Sequence, residues 1–428
     1  MQNNKLFTMD CSAVVYPYFA TDKINHSFTM DADIDREIDP ALLVDVVQSM
    51  CERFPTLFVR LHRDKLGYKL EHVHDVKPFV MPRPAVLNDV YDLKNNENLI
   101  RITYRKNRLA VECFHSVTDG SGAITLLKSI LAEYYRRLGE DIPNENGVLS
   151  PKDAPRAGEI EDSFRRNFRK ELGMAGRSGK RAFQLREKGP FAPWHRTELS
   201  MPLSELKPIA KASGATMTEY VAAMYLYAFY KLRQRTGDKR PVVLSVPMNL
   251  RPMFDSETLR NFSLYFLTSV PEGSVSFDDI LDQVKKDFKT GTDKSLIQQM
   301  ININVSQQEM AFFRVLPRGL KKVVLSVGAM LYGECLFTST LSNLGVFKVP
   351  QELDAHLLAF RAILGPVPTN ALHTTAYCAK GVFGMMFTSH LADKDMETEM
   401  QKMFADLGVH ATLRDEEELL PIPERVTE

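Results

Sequence analysis

The sequence has no surplus of either charge: its 428 residues carry 54 basic and 54 acidic side chains. A dedicated nucleic-acid binder needs a basic excess, so that class is set aside. Long apolar runs are also missing. The longest, such as 221–230, fall well short of the roughly 20 residues a membrane span needs. The first residues, MQNNKLFTMDCS, show no basic stretch followed by an apolar one, and no signal peptide is expected. Cysteine is scarce and odd in number. Cys11, Cys51, Cys113, Cys335 and Cys378 lack metal-like spacing, so reduced thiols in a cytoplasmic protein are expected. What remains is an ordinary globular composition, 44% hydrophobic and 25% charged. The length exceeds what one core usually serves, so two domains are the starting expectation.

Along the chain the first half alternates strands and helices. Residues 6–17 and 25–34 alternate as strands do, and 40–54 places Leu42, Leu43, Val46, Val47 and Met50 at helical spacing. Strand pairs are expected at 57–61 with 68–72, and at 99–104 with 109–114. Residues 140–195 differ, being rich in proline, glycine and charge, with the basic stretch FRRNFRKELGMAGRSGKR at 164–181. They divide the chain into an N-terminal lobe (1–145), a basic crossover linker (146–195) and a C-terminal lobe (196–428). The basic residues suit either a solvated linker face or a contribution to holding a phosphorylated ligand.

The second half repeats the mixed pattern. Strands are expected at 196–201, 242–246, 262–270, 336–341, 355–362 and 381–390. Helices are expected at 204–212, 216–233, 277–289 and 394–407, the second opened by the capping box Thr216-Met-Thr-Glu219. The tail from Asp415 is acidic. Both halves have α+β character, which suggests two related lobes.

The chemistry concentrates in FHSVTDG (114–120). Residues 109–114 read as a buried strand, and an amphipathic helix runs from 122 to 138. His115 therefore sits at a strand end, where side chains often face a cleft. With a pKa near 6.5, histidine can take a proton from a hydroxyl, thiol or amine at neutral pH. Asp119 could orient it. Alternatively, Asp119 caps the helix or pairs with a basic residue, holding the turn, with Gly120 supplying the backbone angles. Chance produces His-x-x-x-Asp-Gly roughly 0.03–0.04 times among ten histidines at ordinary residue usage, so the spacing carries information. His72-Val-His74 has the look of a ligand pair, but on an alternating strand it reads as two exposed residues.

These motifs resemble the chloramphenicol-acetyltransferase-like superfamily of coenzyme-A-dependent acyltransferases, which includes alcohol acetyltransferases and the condensation domains of peptide synthetases. The resemblance runs over nearly the whole chain. DPALLVDVVQSMCERFPTLFVRL (39–61) resembles the family's first helix and strand, and FHSVTDGSGAITLLKSI (114–130) its active-site segment. VVLSVPMNLRPMF (242–254) is similar to the strand carrying a structural arginine, and TLSNLGVFKVP (340–350) to the Ser-Asn-Leu-Gly segment. Three departures stand out. Phe114 occupies the place of a second histidine in condensation domains, Phe58 that of a common arginine, and the plant enzymes' Asp-Phe-Gly-Trp-Gly is absent.

The resemblance implies two lobes, each a mixed sheet with flanking helices, and an active-site tunnel between them. It implies His115 as general base, Asp119 in the catalytic motif and paired with Arg251, and Gly120 in the turn. Ser342 and Asn343 are the candidates for holding an oxyanion, and Arg177, Lys180 and Arg181 for the phosphates of coenzyme A. The expected activity is transfer of an acyl group, with acetyl the leading expectation, from acyl-CoA to an alcohol or amine, with no metal required. A free-standing condensation-like enzyme fed by an acyl carrier protein is the alternative. A non-catalytic scaffold binding lipid or protein is a third reading, and it leaves His115 without a chemical purpose.

Overall fold

The computed structural model describes residues 5–20, 26–75, 79–82, 98–174, 179–185, 194–310, 315–332, 334–365 and 370–415. Three sheets form among them. The first has five strands in the order Leu357–Leu364, Ser27–Ile34, Arg108–Phe114, Ile100–Arg105, Val80–Pro82. The second has seven: Ser263–Ser269, Val243–Asn249, Ser339–Val346, Leu372–Ala379, Val382–Ser389, His195–Pro202, Thr412–Asp415. A small third sheet joins Leu6–Phe7, Tyr68–His72 and Val59–Arg63. No helix among the described residues is long and apolar enough to cross a membrane.

Each large sheet gains its core from helices laid on one face. Leu43, Val46, Val47 and Met50 of the Pro40–Met50 helix are buried, and so are Leu126, Leu127, Ile130 and Leu131 of Gly120–Arg137. The Pro40–Met50 helix starts where Asp39 accepts hydrogen bonds from the Ala41 and Leu42 amides, with Pro40 in its first turn. On the second sheet the Met217–Thr236, Phe277–Gly291 and Asp395–Asp406 helices cover a core that includes Tyr225, Phe229, Phe383 and Phe387. The expected capping box is present: Thr216 Oγ1 accepts from the Glu219 amide, and Glu219 accepts from the Thr216 amide.

The lobes are not contiguous in sequence. Leu357–Leu364, from the 196–428 segment, pairs antiparallel with Ser27–Ile34 and becomes an edge of the first sheet. Arg361 on that strand lies 2.8 Å from Asp33 and 3.6 Å from Asp31, and its Nε is 3.5 Å from Glu198 of the second sheet. Arg108 completes the group with a bond to Asp33. All of these are buried, so one ionic cluster joins both sheets. A charge stranded there by removing its partner costs about 3–5 kcal/mol.

Two expectations need correction. Residues 6–17 are not a strand: only Leu6–Phe7 pairs, and the chain then turns into the short Tyr16–Phe19 helix. Asp10 makes the turn, accepting from the Ala13 amide at 2.8 Å and the Ser12 hydroxyl at 2.7 Å. The crossover is more than a solvated linker. Glu159 is buried against Arg53 at 2.6 and 2.8 Å, and Phe164 is buried with Phe254, Phe262, Ile297 and Ile301. Its basic side chains work locally: Arg165 pairs with Asp162 and Glu309, and Arg166 with Glu161 and the Phe254 and Asp255 carbonyls. The acidic residues beyond Asp415 lie outside the described residues.

Candidate active site

His115 follows the Arg108–Phe114 strand, and its amide donates to the His26 carbonyl at 2.8 Å. The ring is held on two faces, stacked on Tyr16 (4.9 Å, 15°) and edge-on to Phe28 (5.0 Å, 65°). Protein surrounds it, yet it keeps part of its surface open.

Asn261 sets the state of the ring. Its Nδ2 donates to the His115 carbonyl at 3.1 Å, which fixes the orientation of the amide. Asn261 Oδ1 then faces His115 Nδ1 at 3.2 Å, and an amide oxygen can only accept. Nδ1 therefore carries the hydrogen and Nε2 keeps its lone pair. Burial pushes the His115 pKa below the usual 6.5, against the opposing pull of its own backbone, Asp119 and Asn261. The imidazole is neutral at pH 7, as a base must be.

Asp119 does not hold His115. Its carboxylate caps the Gly120–Arg137 helix, accepting from the Ser121 and Gly122 amides at 3.1 and 3.4 Å. It also takes both Arg251 terminal nitrogens at 2.9 Å and the Phe262 amide at 2.9 Å. Arg251 in turn donates to the carbonyls of Thr258 (2.7 Å) and Arg260 (2.6 Å). The pair thus grips residues 258–262, and Asn261 lies inside that grip. Asp119 is linked to His115 through this segment and through its charge, not through a bond to the ring. Among the described residues the Asp119 carboxylate bonds to Arg251 and to the Ser121, Gly122 and Phe262 amides, so its place is in the turn rather than against the His115 ring.

Gly120 is explained by space rather than by backbone angle. A Cβ there would come within 2.8 Å of Leu344 Cδ2 and 3.4 Å of Met30 Cε. Two residues on, Gly122 is tighter: a Cβ would meet Thr118 Oγ1 at 2.1 Å and the Leu259 carbonyl oxygen at 2.3 Å. The contact with Leu344 also shows that the Ser-Asn-Leu-Gly segment abuts the start of this helix. Ser342 pairs with Thr375 across the strands, and Thr375 bonds to the Ala362 carbonyl of the first sheet. Ser342 therefore shares the face turned toward the N-terminal lobe. Asn343 is committed to structure, donating to Thr218 Oγ1 at 2.8 Å and accepting from the Gly345 amide at 2.9 Å.

Of the three residues singled out for phosphates, Lys180 and Arg181 lie among the described residues. Lys180 is exposed and lies 3.8 Å from the equally exposed Glu272, and Arg181 is exposed. Arg177 lies outside the described residues. His72 is not the exposed residue expected, because its ring is buried with Nδ1 against the Phe58 carbonyl.

Sequence reasoning missed Asn261, Tyr16, Phe28 and two further histidines. His26 and His373 each have a buried Nε2 without a hydrogen-bond partner. Burial brings the His26 pKa down to about 4, with help from His115. His373 is also brought to about 4, by burial and then by His390 and His26. No periodicity or spacing in the sequence links these residues to His115.

No family model matches the chain, and a search of curated proteins finds no match. Solved structures do match, over nearly the full length. Polyketide synthase associated protein 5 from Mycobacterium tuberculosis aligns with a TM-score of 0.61 at 14% identity, covering 93% of this chain and 98% of that one. TRI3 trichothecene 15-O-acetyltransferase from Fusarium sporotrichioides aligns at 0.57 and 9%, covering 94% of each. The first condensation domain of the CDA synthetase aligns at 0.58 and 16%, covering 95% of each. The chain has the two-lobed fold of condensation domains and chloramphenicol-acetyltransferase-like acyltransferases.

Proposed function

We propose that this protein is an acyltransferase in which His115 is the general base. The observation that carries the reading is the amide lock: Asn261 fixes the hydrogen on Nδ1 and leaves Nε2 free to accept a proton. In the proposed reaction, Nε2 takes the proton of a hydroxyl as its oxygen attacks a thioester carbonyl. The C–S bond then breaks, and the same proton passes to the leaving thiolate. The oxyanion formed between those steps needs a donor about 3 Å away, and the Ser342 hydroxyl is the candidate left after Asn343.

The donor proposed is acyl-CoA, with acetyl-CoA the first to test, and the acceptor is an alcohol or, second, an amine. One observation favours the condensation-like alternative, with a carrier-protein-bound donor: Lys180 lies 3.8 Å from Glu272, a carboxylate that opposes a phosphate beside it. The experiment measures thiol release from acetyl-CoA and from an acylated carrier protein across a panel of alcohols and amines, with mass spectrometry of products. Turnover from acetyl-CoA supports the first reading, and turnover from the carrier alone supports the second. Failure of both donors across the panel would contradict the enzymatic reading and return the chain to a scaffold role.

A further inference from the structure

Away from His115, the Pro40–Met50 helix ends beside the end of the Tyr68–His72 strand. One ligand atom each from Cys51, Glu52 and His72 lies there, all within 4.8 Å of one another. His72 is only 3% exposed. Its Nδ1 lies 3.2 Å from the Phe58 carbonyl oxygen, which places the hydrogen on Nδ1 and a lone pair on Nε2. That Nε2 is buried, has no hydrogen-bond partner, and faces Glu52 Oε1 at 3.6 Å. A lone pair opposite a carboxylate is repulsive unless a cation stands between them. His74 supports the carboxylate from outside, with Nδ1 at 2.7 Å from the same oxygen. Metal-binding carboxylates commonly have such an outer partner.

We propose that Cys51, Glu52 and His72 form a zinc site, with the fourth position open to water. Sulfur, imidazole nitrogen and carboxylate oxygen together suit Zn²⁺, whereas magnesium and calcium prefer oxygen alone. One thiolate and one carboxylate neutralise the dication. Binding forms a Zn–S bond and releases the Cys51 proton to solvent, in place of the thiol's present contact with the Val73 carbonyl at 2.8 Å. Glu52 is 73% exposed, which leaves a path for the ion. The site ties the helix end to the small sheet and is independent of the acyl-transfer reading.

The rival account is a proton: a charged His72 paired with Glu52, and no metal. Titration of the chelator-treated protein with Zn²⁺, followed by dialysis and elemental analysis, separates the two. The site predicts one retained equivalent and a raised melting temperature. Co²⁺ in its place should give a thiolate-to-metal charge-transfer absorption that Cys51→Ala lacks. Because Cys51 is buried, the exposed Glu52→Gln is the second variant and should lose the zinc-dependent rise in melting temperature. His74→Ala should bind zinc about 10–100-fold more weakly. No retained equivalent, or a cobalt spectrum without the thiolate band in the wild-type protein, would overturn the proposal.

Discussion

Asp119→Asn separates a positioning role from a direct one. The substitution keeps an oxygen to cap the Gly120–Arg137 helix but removes the charge that Arg251 meets through two 2.9 Å bonds. The two side chains are 5% and 12% exposed, so the pair is largely shielded from water. Breaking a buried pair costs about 3–5 kcal/mol. The lower end applies here, because Arg251 keeps the Thr258 and Arg260 carbonyls and the Asn249 side chain. Arg251→Met should cost a similar amount, softened by the three amides that still donate to Asp119. The double variant should be more stable than the sum of the singles predicts, by about 1–3 kcal/mol, since neither charge is left alone. Urea denaturation of the four proteins measures the coupling. Each single variant should also lose activity, because the 258–262 segment that presents Asn261 is released. Additivity within about 0.5 kcal/mol would refute the pairing. A rate loss in Asp119→Asn without loss of stability would make Asp119 a direct partner of His115.

Asn261→Asp places a carboxylate at Nδ1, which favours the protonated ring, so the acid limb of the pH–rate profile should rise by about one unit or more. An unmoved limb would show that Asn261 does not control the ring. Gly122→Ala must move backbone at Leu259 and should destabilise by about 1–3 kcal/mol, whereas Gly120→Ala meets only flexible side-chain ends and should cost less. Melting curves of the two variants check that order, and the reverse order would contradict the packing described. His373 is held neutral with its pKa lowered from 6.5 to about 4, so the unfolded chain binds more protons between those values. Stability should therefore fall as pH drops from 6.5 to 4, by up to about 3 kcal/mol from this residue. Asp10, raised to about 6 by burial, acts in the opposite sense, adding stability as pH falls below 6. His373→Asn should flatten the acid-side slope of stability against pH, and an unchanged slope would rule out its burial as a neutral group.

Local patterns were readable where one rule decided the outcome. Leu43, Val46, Val47 and Met50 announced a helix by spacing, and the Thr216–Glu219 box announced another by its cap. The pairing of Arg108–Phe114 with Ile100–Arg105 followed from two apolar runs around a short turn. Long-range choices were not readable. Nothing in Leu357–Leu364 says that it will join the strand Ser27–Ile34 some 330 residues earlier, because edge pairing depends on where Arg361 finds Asp33. The helices Lys294–Glu309 and Arg318–Tyr332 were missed, the first because its polar run Asn302-Ile-Asn304 and Gln307-Gln308 blurs the apolar stripe. In the site, the motif exposed His115, Asp119 and, through the family resemblance, Arg251. Asn261 stayed hidden, since a lone asparagine 146 residues from its partner leaves no spacing to notice.

The central claim is that His115 Nε2 moves the proton in acyl transfer. Turnover measured as thiol release at saturating donor, for wild type and His115→Ala side by side, tests it most directly. The account predicts a fall of about 10²–10⁴ with the melting temperature little changed. It also predicts that the midpoint of the acid limb of the wild-type rate lies below 6.5, because burial lowers the pKa of the ring that takes the proton. A variant that keeps most of the wild-type rate would contradict it.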